Sequence, residues 1–162
     1  MNKDRTWKIY LSGEIHTNWR NEIQSLCTQN ELPVIINSPN TKHSESDDCG
    51  VTILGGENDK FWHDRKGAAI NSIRNTVLIK ETDILIVKFG DQYRQWNAAF
   101  DTGVAAAEGK AIITLHDENL DHALKEVDQA SLATCRTVKE VVAILLYVIN
   151  GKLGDPKEMA AE

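Results

Sequence analysis

Ile84-Leu85-Ile86-Val87-Lys88-Phe89, running into Gly90-Asp91, shows none of the polar alternation of a strand that keeps one face in water. A run this short, β-branched and bounded by turn residues reads as a strand buried on both faces. Parallel sheets covered by helices on both sides bury such strands, so this segment constrains the rest of the chain to an α/β arrangement.

The remaining sequence supplies the alternation that this demands. Strands are expected at 8–13, 32–37 and 111–115, a weaker one at 130–135, and a short one at 51–54. Helical spacing joins Trp19, Ile23, Leu26 and Cys27, then runs over 60–80, over 97–108 between Asn97 as N-cap and Gly109 as stop, over 120–127, and from a Thr137 cap through Ile149 to Gly151. Residues 40–50 are polar without apolar periodicity and read as a surface loop. Right-handed crossovers then give a flavodoxin-like (Rossmann-like) three-layer sandwich around a five-stranded parallel sheet. One domain over 1–154 is expected, with a frayed tail at 155–162.

Composition narrows the partners. Lys and Arg total 18 against 24 Asp and Glu, a formal charge of -6, so no basic field is present to attract nucleic acid. The start of the chain lacks the apolar core of a signal peptide, and the longest apolar run, 141–149, is too short to span a bilayer, so a cytoplasmic protein away from membranes is expected. Cys27, Cys49 and Cys135 form no CxxC pair and no metal-binding spacing, which points to reduced thiols and no metal site.

In sheets of this kind ligands bind beyond the carboxyl ends of the strands, where the strand order reverses. Two loops there are rich in polar and aromatic groups: Ser12, Gly13, Glu14, His16, Trp19 and Arg20 in the first, Asp91, Tyr93, Arg94, Gln95, Trp96 and Asn97 in the second. Neither GxGxxG nor GxxxxGK[ST] occurs, so no dinucleotide or triphosphate loop is signalled and no cofactor is expected. Trp19, Tyr93 and Trp96 are candidates to stack on a base, and Arg20 and Arg94 to bind a phosphate or carboxylate. Ser12, Gly13, His16, Gln95 and Asn97 complete the expected ligand-binding set. Glu14 and Asp91 are carboxylates suited to acid or base work.

Tyr10-Leu11-Ser12-Gly13, Thr82-Asp83-Ile84-Leu85-Ile86-Val87, and the stretch from Phe100-Asp101-Thr102-Gly103 to Gly109-Lys110-Ala111-Ile112-Ile113 resemble successive landmarks of the nucleoside 2-deoxyribosyltransferase superfamily. The whole chain is similar to the bacterial YtoQ-type family, an uncharacterised branch of it. The resemblance implies a carboxylate that attacks the anomeric carbon of an N-glycoside. Its nucleophilic Glu is matched by Asp101, one methylene shorter, and the tyrosine that holds the nucleophile by Tyr10. Two acids of the superfamily are matched by amides, Gln95 and Asn75.

Asp101 falls in the first turns of its helix, where the dipole favours an ionised carboxylate. The expected function is therefore N-glycosidic hydrolysis or transfer on a nucleoside, nucleotide or related small molecule. The alternative is a non-catalytic domain that binds or senses a nucleotide-like ligand, in keeping with the two amides. The resemblance and the apolar last helix imply a homodimer or larger homo-oligomer.

Overall fold

The computed structural model describes residues 5–92 and 95–159. Five parallel strands, β1 (Trp7–Gly13), β2 (Val34–Asn37), β3 (Ile84–Lys88), β4 (Ala111–Leu115) and β5 (Ala133–Cys135), form one sheet in the order β2-β1-β3-β4-β5. The doubly wound, flavodoxin-like architecture expected from the alternation is the one found. The order reverses between β1 and β3, where Leu11, Ser12 and Gly13 pair with Ile86, Val87 and Lys88.

Strand periodicity distributes the core between the two faces. Ile9, Leu11, Ile84, Ile86, Ile113 and Leu115 pack beneath α1 (Trp19–Gln29) and α7 (Val138–Asn150). Tyr10, Leu85, Val87 and Ile112 pack on the other side, beneath α4 (Lys60–Glu81) and α5 (Trp96–Ala107). Helix α6 (Asp121–Gln129), entered through a 3-10 turn at Glu118–Leu120, joins β4 to β5. The cap of α7 is the one expected: Thr137 and Glu140 form a reciprocal capping box, and Gly151 closes the helix at φ 69°.

Three expectations are corrected. Residues 51–54 belong to a helix, α3 (Cys49–Leu54), because Gly50 lies so close to α4 that a Cβ there would stand 2.3 Å from the Gly67 nitrogen, and the segment packs across α4 instead of joining the sheet. A four-residue apolar run does not tell a strand from a helix, and this contact decides it. The preceding polar stretch contains a short helix, α2 (His43–Ser46), whose Ser46 carbonyl accepts from Asn71 Nδ2 at 2.8 Å. Helix α5 begins one residue before Asn97, with Gln95 as its cap residue and no side-chain cap bond. Beyond α7, Met159 packs against the core.

Helix α7 also uses its apolar surface differently from expectation. Val138, Val141, Val142, Leu145, Leu146 and Ile149 are all buried, leaving Tyr147 and Val148 as its exposed large apolar groups. Other exposed large apolar side chains include Phe61, Trp62, Ile73 and Val77 on α4, Ile53 and Leu54 on α3, and Trp96 and Phe100 on α5. Among the described residues no helix is long and apolar enough to cross a membrane, and no group of three or more His, Cys, Asp or Glu is placed to hold a metal ion.

Candidate active site at the strand-order reversal

Gly13 closes β1 with φ 108°, and a Cβ there would stand 2.0 Å from the Lys88 carbonyl oxygen. Only glycine allows both the turn and the close pairing of the β1 and β3 ends, which continues as Glu14 N–H donates to Lys88 O at 2.9 Å. The residue before the turn, Ser12, is buried, and its Oγ donates to Asp101 Oδ2 at 2.6 Å. Asp101 sits in the second turn of α5, 8% exposed. Burial pushes its carboxyl above the usual range, and the Ser12 hydroxyl opposes that rise.

Tyr10 lies two residues before Ser12, so both side chains leave the same face of β1. Its hydroxyl is fully buried and has no hydrogen-bond partner among the described residues. Burial pushes the phenol far above its ordinary value; the negative charge of Asp101 adds to this, while the positive charges of Arg74 and Arg20 oppose it. The hydrogen bond that the resemblance led us to expect between Tyr10 and the carboxylate is thus made by Ser12.

The loop after β1 is locked from within. Glu14 is buried, and its carboxylate accepts from the backbone N–H of His16, from Thr17 N–H at 3.0 Å and from Thr17 Oγ1 at 2.5 Å, with Lys88 Nζ at 3.8 Å. Burial pushes this carboxyl up, but the bonds from Thr17 and His16 and the charge of Lys88 outweigh it, and Glu14 titrates below its ordinary value. Gly90 leaves room for it: a Cβ there would stand 2.8 Å from Glu14 Cγ.

Arg20 donates to the carbonyls of Leu11, Gly13 and Glu14 at 3.2, 2.9 and 2.6 Å. Its guanidinium lies 4.6 Å from the Trp19 ring centre, and burial lowers its pKa to about 10. The Trp19 ring is 2% exposed in the core, with Nε1 donating to Glu14 O at 2.8 Å.

One sequence-based role changes as a result: Trp19 is buried and offers no free face to a base. Arg20 fixes the loop through three backbone carbonyls and also lines a polar cleft. Gly13 serves the turn and the close strand contact.

In the loop after β3, Gln95 Oε1 accepts from Gly90 N–H at 3.3 Å and Nε2 donates to Gln92 O at 2.5 Å, so this side chain closes the loop on itself. Asp91 is exposed and accepts from Asn119 Nδ2 at 2.9 Å, on the β4 side. His16, Trp96 and Asn97 are exposed. Tyr93 and Arg94 lie outside the described residues.

No sequence motif singles out Arg74, which is exposed on α4. Its Nη1 donates to the Ser38 carbonyl at 2.7 Å, just beyond β2. The signal was spacing: Asn71, Arg74, Asn75 and Leu78 fall at i, i+3, i+4 and i+7, and Leu78 packs against the core. Ser38 also lines a polar cleft of about 210 Å3 with Leu11, Thr17, Asn18 and Asn21.

A second unforeseen cluster lies at the ends of β4 and β5. His116, its side chain wholly enclosed, has Nε2 3.1 Å from both oxygens of Asp128, which also accepts from Thr114 Oγ1 at 2.8 Å. It ties β4 to α6.

Residues 10–149 match the family model described as "Nucleoside 2-deoxyribosyltransferase YtoQ". The chain is 38% identical over 142 residues to the uncharacterized protein YtoQ of Bacillus subtilis (strain 168), covering 88% of this chain and 96% of that protein. Among solved structures it is similar to a 2-deoxyribosyltransferase from Bacillus psychrosaccharolyticus, with a TM-score of 0.51 and 16% identity over 83% of this chain and 89% of the other. A conserved protein from Enterococcus faecalis V583 gives a TM-score of 0.55 at 13% identity, over 87% and 98% of the two chains. At these identities the structural matches concern the fold.

Proposed function

The chain belongs to the YtoQ family of nucleoside 2-deoxyribosyltransferase-like proteins, and from that membership we propose that it cleaves or exchanges the N-glycosidic bond of a nucleoside or nucleotide with Asp101 as nucleophile. The observation that carries this reading is the buried Ser12–Asp101 hydrogen bond at the strand-order reversal, where α/β sheets bind ligands.

An Asp101 oxygen attacks the anomeric carbon as the C–N bond breaks, and the electron pair leaves with the base, which takes up a proton. The resulting glycosyl ester is opened by water, which regenerates the carboxylate and yields free sugar, or by a second base. Ser12 fixes which Asp101 oxygen is held and leaves the other for attack. Glu14 is held ionised by its own loop, so of the two further carboxylates the exposed Asp91 is assigned the role of assisting the departing base, directly or through water. Trp96 is the exposed ring suited to stacking, with His16 and Asn97 as polar contacts and Tyr93 and Arg94 from the same loop.

Incubation with ribo- and deoxyribonucleosides and their 5'-monophosphates, with free base followed by chromatography, tests the reading. Release by wild type and not by Asp101→Asn supports it, and equal release by both overturns it. A second reading, a non-catalytic binding or sensing domain, is favoured by the amides Gln95 and Asn75 at the positions of two superfamily acids. Ligand binding without turnover, insensitive to Asp101→Asn, selects it.

Two further elements belong to this proposal. The exposed Ile73, Val77, Trp96 and Phe100 on the adjoining helices α4 and α5 support a homo-oligomer, at least a dimer, that covers them. Three unpaired cysteines and a charge of -6 support a cytoplasmic enzyme of small molecules that does not bind nucleic acid.

A further inference from the structure

Arg20 carries a charge that its bonds do not balance. Its guanidinium donates to the carbonyls of Leu11, Gly13 and Glu14, which uses three of its five N–H groups and sets no carboxylate among the described residues against it as an ion pair. Glu14, whose charge reaches it, is itself taken up by His16, Thr17 and Lys88. The two remaining N–H groups belong to a side chain that lines the polar cleft of about 210 Å3. Leu11 and Ile36 line this cleft from the sheet face opposite to Tyr10 and Ser12, so it opens on the α1 side, while Ser12 meets Asp101 on the α5 side. Its walls carry Asn18 and Gln24 at α1 and Ser38 and Thr41 beyond β2, and no Asp or Glu, on a chain that has 24 of them. A cation is disfavoured where burial strips its water, and here burial lowers the arginine pKa to about 10, so a ligand that brings negative charge is favoured.

We propose that this cleft is a second binding site, separate from Asp101, for the phosphate group of a small ligand, either free phosphate or a small organic phosphate. Arg20 supplies the charge-assisted bonds, and the amides and hydroxyls of the two walls supply the rest. Donors from two segments suit the three terminal oxygens of a phosphate better than the two of a flat carboxylate. The volume lies below the roughly 300 Å3 at which sites for larger ligands begin, so the cleft takes a phosphate with a few carbon atoms and not a whole nucleotide. A ligand so held joins the loop after β1 to the segment after β2. The site does not depend on the nucleoside reading of Asp101.

Calorimetric titration of the full-length protein with inorganic phosphate and with glycerol 3-phosphate, in a low-salt buffer free of phosphate, tests it. Wild type is expected to bind a single equivalent per chain with a Kd of about 1 mM or below. Tighter binding of glycerol 3-phosphate assigns the site to an organic phosphate, and equal or tighter binding of inorganic phosphate assigns it to the free ion. Arg20→Gln also releases the three carbonyls that hold the loop, so the decisive variant is Gln24→Glu, which brings a negative charge to the cleft wall at an exposed position. It is expected to weaken binding about tenfold or more, while the same exchange at the exposed Gln129 of α6 leaves binding unchanged. Circular dichroism verifies that both variants fold. No saturable binding of either probe, or binding that Gln24→Glu leaves intact or that Gln129→Glu weakens equally, overturns the site. None of these outcomes touches the reading of Asp101, which base release tests.

Discussion

Ser12 and Asp101, 89 residues apart in sequence, meet through a buried 2.6 Å hydrogen bond between the end of β1 and the second turn of α5. One carboxylate oxygen is thereby held from a strand that is paired on both sides. The arrangement exists because β1 and β3 are locked together at Gly13, and because α5 follows β3 directly and crosses back over β1.

Burial raises the Asp101 carboxyl in the folded protein. A group whose folded value lies above its unfolded one stabilises the fold fully only below the unfolded value, and that contribution is lost as the pH rises through the folded value. At neutral pH the ionised carboxylate therefore costs stability. Asp101→Asn is expected to melt at a higher temperature than wild type at pH 7.5, with the gap closing toward pH 4, while base release falls on the order of 10³-fold or more. Thermal melts across this range, beside the activity assay, check both.

Ser12→Ala removes the donor that opposes this rise, so the carboxyl titrates higher still. The acid limb of the pH–rate profile is expected to move to higher pH and kcat to fall, with little change in KM. Ser12→Thr keeps the hydroxyl and is expected to restore the profile, which a role in packing alone does not predict.

Gly13→Ala combines a left-handed backbone with a Cβ aimed at the Lys88 carbonyl. The expected cost is about 3 kcal/mol or more, and denaturant unfolding measures it. Gly103→Ala, in α5 with open space at its Cβ, is the control and is expected to be neutral or stabilising.

Trp96 and Phe100 lie one helical turn apart on α5 and are largely exposed. If a second copy covers them, Trp96→Glu with Phe100→Glu is expected to shift the mass found by light scattering to that of the monomer. A wild-type protein that is monomeric at tens of micromolar excludes this interface.

The architecture was legible because β3 is apolar on both faces and because turn and cap residues punctuate the chain; Thr137, Glu140 and Gly151 mark the last helix in sequence as they do in space. What escaped depends on contacts between distant segments. Residues 51–54 are helical because Gly50 meets Gly67, a contact no local pattern announces. Trp19 looked like a stacking platform, yet a loop-adjacent aromatic and a core aromatic share one local sequence, and only burial separates them. Asp101 was reached through the resemblance, while Ser12, which holds it, follows from strand periodicity: it shares a face with Tyr10 and lies nearer the edge where ligands bind. His116 and Arg74 each stand alone in sequence, and their partners come from other elements.

The central claim is that Asp101 forms a bond to the sugar, and mass spectrometry of acid-quenched protein taken during turnover tests it most directly. The account predicts a mass gain equal to one glycosyl group, mapped to the peptide that carries Asp101 and absent from Asp101→Asn. Base release that proceeds at the wild-type rate in Asp101→Asn, with no such gain in either protein, contradicts it.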